Sequence, residues 1–347
     1  MTVPESMQRD AGFDQGRSMD KTEPTTPITH RSMDNGSTPG SALRSPQLEG
    51  LDGHLDKLQL DAFNRARLSG GSKGLGKLLG FRSPKPAAPS PGTPEHLTLT
   101  PDDMLSFSEE SLPTSLLKHT PDNASRAVKM FASILTFMGV HGETLPSVTS
   151  MDLIQKLLHQ GLKRPELRDE LYLQLVKQTR GCPPGAPLQR AWQLLLVCAS
   201  VMPPSREFTA LVSEYVHGAS KDADSADEVR DLASRAWDAL KRTTKAGQRR
   251  TLPELSEIDG LLRGQRSSTV VYFLDDTFEE VEYDSATTVA EAVERVARLI
   301  KLEAYQTFTL FVVPKGARGA QGVGEEEGPA PVALDDGRYL ADVLHEL

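Results

Sequence analysis

The chain has 347 residues, 38% of them apolar, with 24 Pro, 27 Gly and a formal net charge of -9. That length accommodates two ordinary domains, while the Pro and Gly content predicts a sizeable part outside any packed core. Two cysteines, Cys182 and Cys198, exclude a disulfide framework. The lack of paired C-x-x-C elements, of an N-terminal apolar stretch and of a window of roughly 18 apolar residues argues against a zinc fold, secretion and a membrane span. A reduced, cytoplasmic protein is expected.

Residues 1–106 balance 12 Lys+Arg against 13 Asp+Glu and show no sustained apolar period, the pattern of a disordered Pro/Ser/Gly-rich arm. Within it, 62–94 carry Arg65, Arg67, Lys73, Lys77, Arg82 and Lys85 and no acid. Thr26, Thr38, Ser45, Ser83, Ser90, Thr93 and Thr100 each precede Pro. Phosphate added there would oppose the basic stretch, and Pro-rich composition by itself accounts for the same pairs.

From 107 to 265 the spacing turns helical. Ala127, Val128, Phe131, Leu135 and Met138 share one face, as do Leu153, Ile154, Leu157 and Leu158. Pro165 suits the first turn of a helix that buries Leu167, Leu171, Leu175 and Val176. Ala191 to Cys198 is apolar nearly all round and belongs at the centre of a bundle. Pro203-Pro204 ends it, and Phe208, Leu211, Val212, Tyr215 and Val216 form the next stripe, followed by a helix through Val229 to Leu240. Six or more helices with short connections predict an all-α bundle.

At 266–347 the period changes. Thr269 to Leu274, a turn at Asp275-Asp276 and Phe278 to Tyr283 predict a β-hairpin. Thr288 and Glu291 form a capping box opening a helix that buries Val289, Ala292, Val293, Val296, Leu299 and Ile300. Phe308 to Val313 is strand-like, and Tyr339 to Leu347 makes a last short helix. The order predicts a small α+β roll such as the ubiquitin-like fold. Charge concentrates here, with 7 Lys+Arg against 16 Asp+Glu, whereas 107–265 carry 20 against 19.

Catalytic chemistry finds little footing. Gly71-Ser72-Lys73-Gly74-Leu75-Gly76-Lys77-Leu78 imitates a phosphate-binding loop but ends in Leu78, where magnesium needs a Ser or Thr hydroxyl. The eight histidines show no paired metal-ligand spacing, and His119, His141 and His159 read as surface or cap residues. Cys198 reads as a buried structural thiol, and Asp275-Asp276 and Asp335-Asp336 as turn residues.

Leu162-Lys163-Arg164-Pro165-Glu166-Leu167-Arg168-Asp169-Glu170-Leu171-Tyr172 and the residues on to Thr179 resemble the signature helix of MyTH4 domains, the helical microtubule- and cargo-binding modules of motor tails. Arg190-Ala191-Trp192-Gln193-Leu194, Cys198 to Ser205 and Tyr215-Val216 follow in the order of that family's second block. Val271 to Val313, with Leu334-Asp335-Asp336, is similar to the F1 lobe that opens a FERM domain. The resemblance implies a multidomain chain: a disordered arm at 1–106, an all-α MyTH4 helical bundle at 107–265 and an α+β ubiquitin-like FERM F1 lobe at 266–347. Unconventional myosins place this tandem after their motor, whereas here only an arm precedes it. The resemblance therefore points to the tails of plant and green algal kinesin-like calmodulin-binding proteins, supported by Ser115-Leu116-Leu117-Lys118, Arg126-Ala127-Val128-Lys129 and Phe278-Glu279-Glu280-Val281. It implies an N-terminal fragment whose motor ATPase and calmodulin segment lie downstream, a chain that is not itself an enzyme and takes no cofactor.

The partners so implied are microtubules or a cargo protein. Acidic tubulin would attract exposed cations, and two groups qualify: Lys163, Arg164, Arg168, Lys177 and Arg180 around the signature helix, and Lys241, Arg242, Lys245, Arg249 and Arg250, a run with no intervening acid. The first group reads equally as a solvated face neutralised by Glu166, Asp169 and Glu170. Contacts through surface charge are screened over roughly 8 Å at physiological ionic strength. The alternative is a scaffold that grips a cargo peptide between the two domains without touching microtubules. Nucleic acid is not expected, because the basic arm lacks interleaved aromatics.

Overall fold

The computed structural model describes residues 50–65, 99–141, 146–313 and 330–347. Most of the basic stretch, the phosphate-loop imitation at 71–78, the Pro-directed hydroxyls before Thr100 and the Gly/Glu-rich connection at 314–329 lie outside the described residues.

Eight α-helices with assigned bounds precede the strands among the described residues: α1 (Pro101–Met104), α2 (Pro121–Met138), α3 (Ser147–Lys163), α4 (Arg168–Thr179), α5 (Ala186–Val201), α6 (Arg206–Lys221), α7 (Asp227–Ala246) and α8 (Leu255–Leu262). Their ends follow local chemistry. Thr120 and Ser205 cap α2 and α6 by accepting backbone N–H bonds, and Pro121 occupies the first turn of α2. Gly139 closes α2 at φ +70°, a left-handed conformation that costs glycine nothing. Thr100 does similar work in α1: its hydroxyl accepts from the Asp103 N–H and donates to Asp103 Oδ2 at 2.8 Å.

Helix α5 is the central member, with Ala191, Trp192 and Leu194 to Val201 all buried. Trp192 stacks on Tyr215 of α6 at 6.0 Å between ring centroids. Each large apolar side chain removed from water here contributes about 1.5–3 kcal/mol. A second cluster sits to one side, where Phe131 and Leu135 of α2, Leu173 of α4 and Phe208 and Leu211 of α6 meet Leu112, Leu116 and Leu117.

That second cluster corrects the expected boundary at 106. Leu51, Leu58 and Phe63 are buried in it together with Met104 and Leu105. The strap at 50–65 is held by an isolated antiparallel bridge between Leu58 and Leu117, by the Gln59 N–H donating to the Leu116 carbonyl at 2.8 Å, and by His54 stacking on Phe208 at 4.5 Å. Parts of the expected arm thus complete the helical domain.

After α8 come β1 (Ser267–Tyr272), β2 (Phe278–Tyr283), α9 (Val289–Leu299), β3 (Phe311–Val312), β4 (Val332–Ala333) and α10 (Leu340–His345). β1 and β2 form the expected antiparallel hairpin, with Tyr272 opposite Phe278 and Ser267 opposite Tyr283. The capping box of α9 is present in both directions, with Thr288 accepting from the Glu291 N–H and Glu291 accepting from the Thr288 N–H. Val289, Ala292, Val293 and Val296 are buried, but Leu299 and Ile300 are 51% and 42% exposed, because the helix ends at Leu299 and its last turn leaves the core. The strand expected over Phe308 to Val313 contracts to Phe311–Val312, paired with β4. Among the described residues the strands form two separate two-stranded sheets.

The joint between the two domains and the surviving basic surface

Helix α4 was expected to bury one stripe, yet all of Glu170 to Thr179 is buried. Its polar side chains are satisfied from outside the helix. Glu170, fully buried, accepts the Leu116 N–H at 2.9 Å, the Leu117 N–H at 2.8 Å and the Gln174 amide at 2.8 Å. Gln174 also donates to the Ala127 carbonyl, Gln178 exchanges bonds with the Ser108 backbone, and Asp169 accepts the Ser205 N–H at 2.7 Å. Two expected surface cations belong to the same scheme. Lys177 is 3% exposed and donates to the Ser106 carbonyl, and Arg180 is 1% exposed, reaching the Leu105 carbonyl at 3.2 Å and Asp102 at 2.5 Å. These two residues fasten the 102–108 segment to α4, so they present no charge to a partner. His119 is likewise an internal residue: its side chain is 8% exposed, with Nε2 3.5 Å from Glu170 Oε2.

The run from Lys241 to Arg250 is divided in the same way. Arg242 faces the second domain, bonding Asp284 Oδ2 at 2.9 Å, Glu291 Oε2 at 2.6 Å and Thr287 Oγ1 at 3.2 Å. Burial alone would lower the guanidinium pKa, but the bonds and charges of Asp284 and Glu291 overcome it and raise it. Arg249, 1% exposed, bonds Asp342 Oδ1 at 2.8 Å and pairs with Glu257. Asp342 accepts in addition the Arg250 N–H at 2.7 Å and the Thr251 hydroxyl at 2.6 Å. Burial would raise the Asp342 carboxyl, yet Arg249, the Thr251 hydroxyl and the Arg250 N–H together hold it below the usual carboxylate value. Asp284 is held low by Arg242 against the same burial. The Tyr339 hydroxyl donates to the Gly247 carbonyl and completes the joint. No acid intervenes within the run, but neutralising carboxylates arrive from Glu257 in α8 and from Asp284, Glu291 and Asp342 of the following domain.

What survives as exposed or half-exposed cation is Lys163, Arg164, Arg168, Lys241, Lys245 and Arg250. The structure brings the two sequence groups together through one contact, in which Arg168 donates to Gln248 Oε1 as well as to the Gly161 carbonyl at 3.4 Å. Acids temper this surface. Arg164 adds its charge to that of Arg126, the first cause, in holding Asp122 low, and Lys241 pairs with Asp238 at 2.7 Å while lying 3.7 Å over the Trp237 ring.

Beside the joint lies a polar cleft of about 240 Å³, lined among others by Arg249, Glu254, Glu257, Ser267, Tyr283 and His345. Both thiols are inert in character: burial raises Cys182 to about 11 and Cys198 to about 12. Asp275 and Asp335 serve their turns, accepting N–H bonds from Thr277 and Gly337. Among the described residues no group of three or more His, Cys, Asp or Glu could hold a metal ion, and no helix is long and apolar enough to cross a membrane.

Residues 154–260 match the MyTH4 domain family and 265–326 the RA like domain family. The chain is 44% identical over 311 residues to Kinesin-like protein KIN-14I of Oryza sativa subsp. japonica, covering 87% of this chain and 24% of that protein. It is 43% identical over 302 residues to Kinesin-like protein KIN-14E of Arabidopsis thaliana, covering 84% and 23%. The chain thus spans about a quarter of the length of these relatives. The Dictyostelium discoideum myosin VII MyTH4-FERM MF1 domain superposes with a TM-score of 0.60 at 24% identity, over 72% of this chain and 48% of that one, which shows a shared fold.

Proposed function

We propose that this chain, which carries a MyTH4 domain followed by an RA-like domain in a MyTH4-FERM fold, is a tail module of a cytoskeletal motor in the cytoplasm that binds microtubules through the surviving basic surface. On this reading 266–347 is the F1 lobe, and the module has no turnover of its own. The observation that carries it is the Arg168 to Gln248 contact, which joins the start of α4, a few residues after the exposed or half-exposed Lys163 and Arg164, to the turn that carries the exposed Arg250. An acidic filament surface is complementary to such a patch, and charge of this kind governs encounter rate and salt dependence more than final affinity.

The test is co-sedimentation of the full chain with microtubules across a salt series, beside Lys163→Glu/Arg164→Glu/Lys245→Glu/Arg250→Glu. Binding that fades with salt and is lost in the variant, at unchanged melting temperature, supports the proposal. Undiminished binding by the variant, or none by the folded parent at low salt, sinks it. The cleft beside the joint favours a second reading, a cargo peptide gripped between the two domains. The carboxylate of Glu254 in its lining would suit a cationic side chain.

A further inference from the structure

Apolar exposure is distributed unevenly over this molecule. The outer face of the β1–β2 hairpin carries Val270 at 43%, Tyr272 at 57% and Phe278 at 60% exposure, and every residue of the face is described. The alternation of the strands produces it. Thr269, Val271, Glu279, Val281 and Tyr283 are buried or half-buried on the inner side, which leaves Ser268, Val270, Tyr272, Phe278, Glu280 and Glu282 outside. The register then sets Ser268 opposite Glu282, Val270 opposite Glu280 and Tyr272 opposite Phe278.

The face is therefore split lengthwise. One column is Ser268, Val270 and Tyr272, and the other is Glu282 and Glu280, with the Tyr272–Phe278 ring pair, 5.9 Å between centroids, closing one end. Glu282 has a loose, exposed ion pair with Arg266 at 3.6 Å, and Glu280 makes none among the described residues. An apolar strip edged by two exposed carboxylates, one of them only loosely paired with Arg266, is an unusual thing to leave in water, and isolated surface apolar residues would not line up so. Six residues of strand extend about 20 Å, the length of a helix of about four turns, and the two-strand width of the face suits a helix about 10 Å across.

We propose that this face docks a basic amphipathic helix of about 14 residues from a protein partner, its apolar stripe on Val270, Tyr272 and Phe278 and its Lys or Arg edge on Glu280 and Glu282. Charge complementarity selects the occupant: 266–347 hold 16 acids against 7 bases, so an acidic or neutral helix is disfavoured. Aromatic rings at one end suit a terminal cation, which gains from lying over a ring face. This surface is separate from the basic one and stands whether or not microtubules bind there.

The experiment uses the full chain and a fluorescently labelled leucine–lysine helical peptide of about 14 residues, with a scrambled peptide of equal composition that has no apolar stripe. Anisotropy titrations are expected to show at least about tenfold weaker binding for the scrambled peptide, for Tyr272→Ser/Phe278→Ser and for Glu280→Lys/Glu282→Lys. Equal binding of both peptides, or indifference to the aromatic changes, reduces the effect to bulk charge and overturns the proposal, as does no binding. Should the aromatic variant misfold, amide chemical-shift mapping on the unaltered chain decides: shifts confined to 267–283 support it, and shifts elsewhere refute it.

Discussion

Replacing Arg249 by Met tests whether the two domains are one cooperative body. The Arg249 and Asp342 side chains are 1% and 2% exposed and joined at 2.8 Å. Removing one partner of a buried pair costs about 3–5 kcal/mol, because the other charge stays behind without compensation. Asp342 keeps the Arg250 N–H and the Thr251 hydroxyl, so the lower end, about 3 kcal/mol, is expected. Both tryptophans, Trp192 and Trp237, lie in the helical domain and report its unfolding in urea, while hydrogen exchange of α9 and α10 reports the second. The parent should give matching free energies from the two probes, and Arg249→Met should lower the second and separate them. Arg249→Met/Asp342→Leu should be less damaged than the single variant, since no charge remains unpaired. A single-variant cost below about 1 kcal/mol, or a double variant as costly as the sum, would refute the assignment of this pair as the clamp.

Glu170→Ala should lower stability by about 3–5 kcal/mol in urea titrations, since two buried backbone N–H groups and the Gln174 amide lose their acceptor. Gly161→Ala should change thermal stability by no more than about 2 kcal/mol, because the overlap of the new Cβ with the end of the buried Met202 side chain is offset by about 1 kcal/mol of helix propensity inside α3. Asp284 and Asp342 have folded pKa values below their unfolded ones, so their contribution is complete above the ordinary carboxylate value of about 3.9 and is lost as pH falls through the folded values. Urea midpoints should therefore be insensitive to these two groups from pH 7 to about 5 and drop below about 4, and Asp342→Asn should flatten the acid limb. Cys182 and Cys198, with thiols raised to about 11 and about 12, should resist a thiol reagent at neutral pH until the chain is unfolded.

Much of the fold was legible wherever the deciding interaction is local. The stripes of α2 and α6, the capping box at Thr288 and Glu291 and the hairpin turn at Asp275-Asp276 each depend on residues within a few positions of one another. The strap at 50–65 escaped because Leu51, Leu58 and Phe63 are too few and too widely spaced to sustain a helical or strand period, and their burial is supplied by a groove built from residues up to Leu211. Helix α4 misled for the opposite reason. Its many polar residues suggested a solvated side, whereas Glu170, Gln174 and Gln178 are spent on backbone groups at 108 to 127.

The proposed binding surface shows where sequence reasoning about charge fails. A cation run is free only if nothing outside it neutralises it, and besides the nearby Glu257 the partners of Arg242 and Arg249 include Asp284 and Asp342, 42 and 93 positions downstream. Four of the ten expected contact residues are consumed by structure in this way: Lys177 and Arg180 by the 102–108 segment, Arg242 and Arg249 by the second domain. Their consumption also fixes what remains. The bonds that bury Arg249 hold the 247–250 turn beside Val201 and Arg168, since the Arg249 N–H donates to the Val201 carbonyl while Gln248 receives Arg168. On the proposed function, loss of the Arg249–Asp342 pair should therefore weaken filament binding as well as stability, although neither side chain reaches the surface. A charge-reversed Arg250 should weaken binding alone, and finding the two effects inseparable in both variants would mean that the patch and the joint are not distinct.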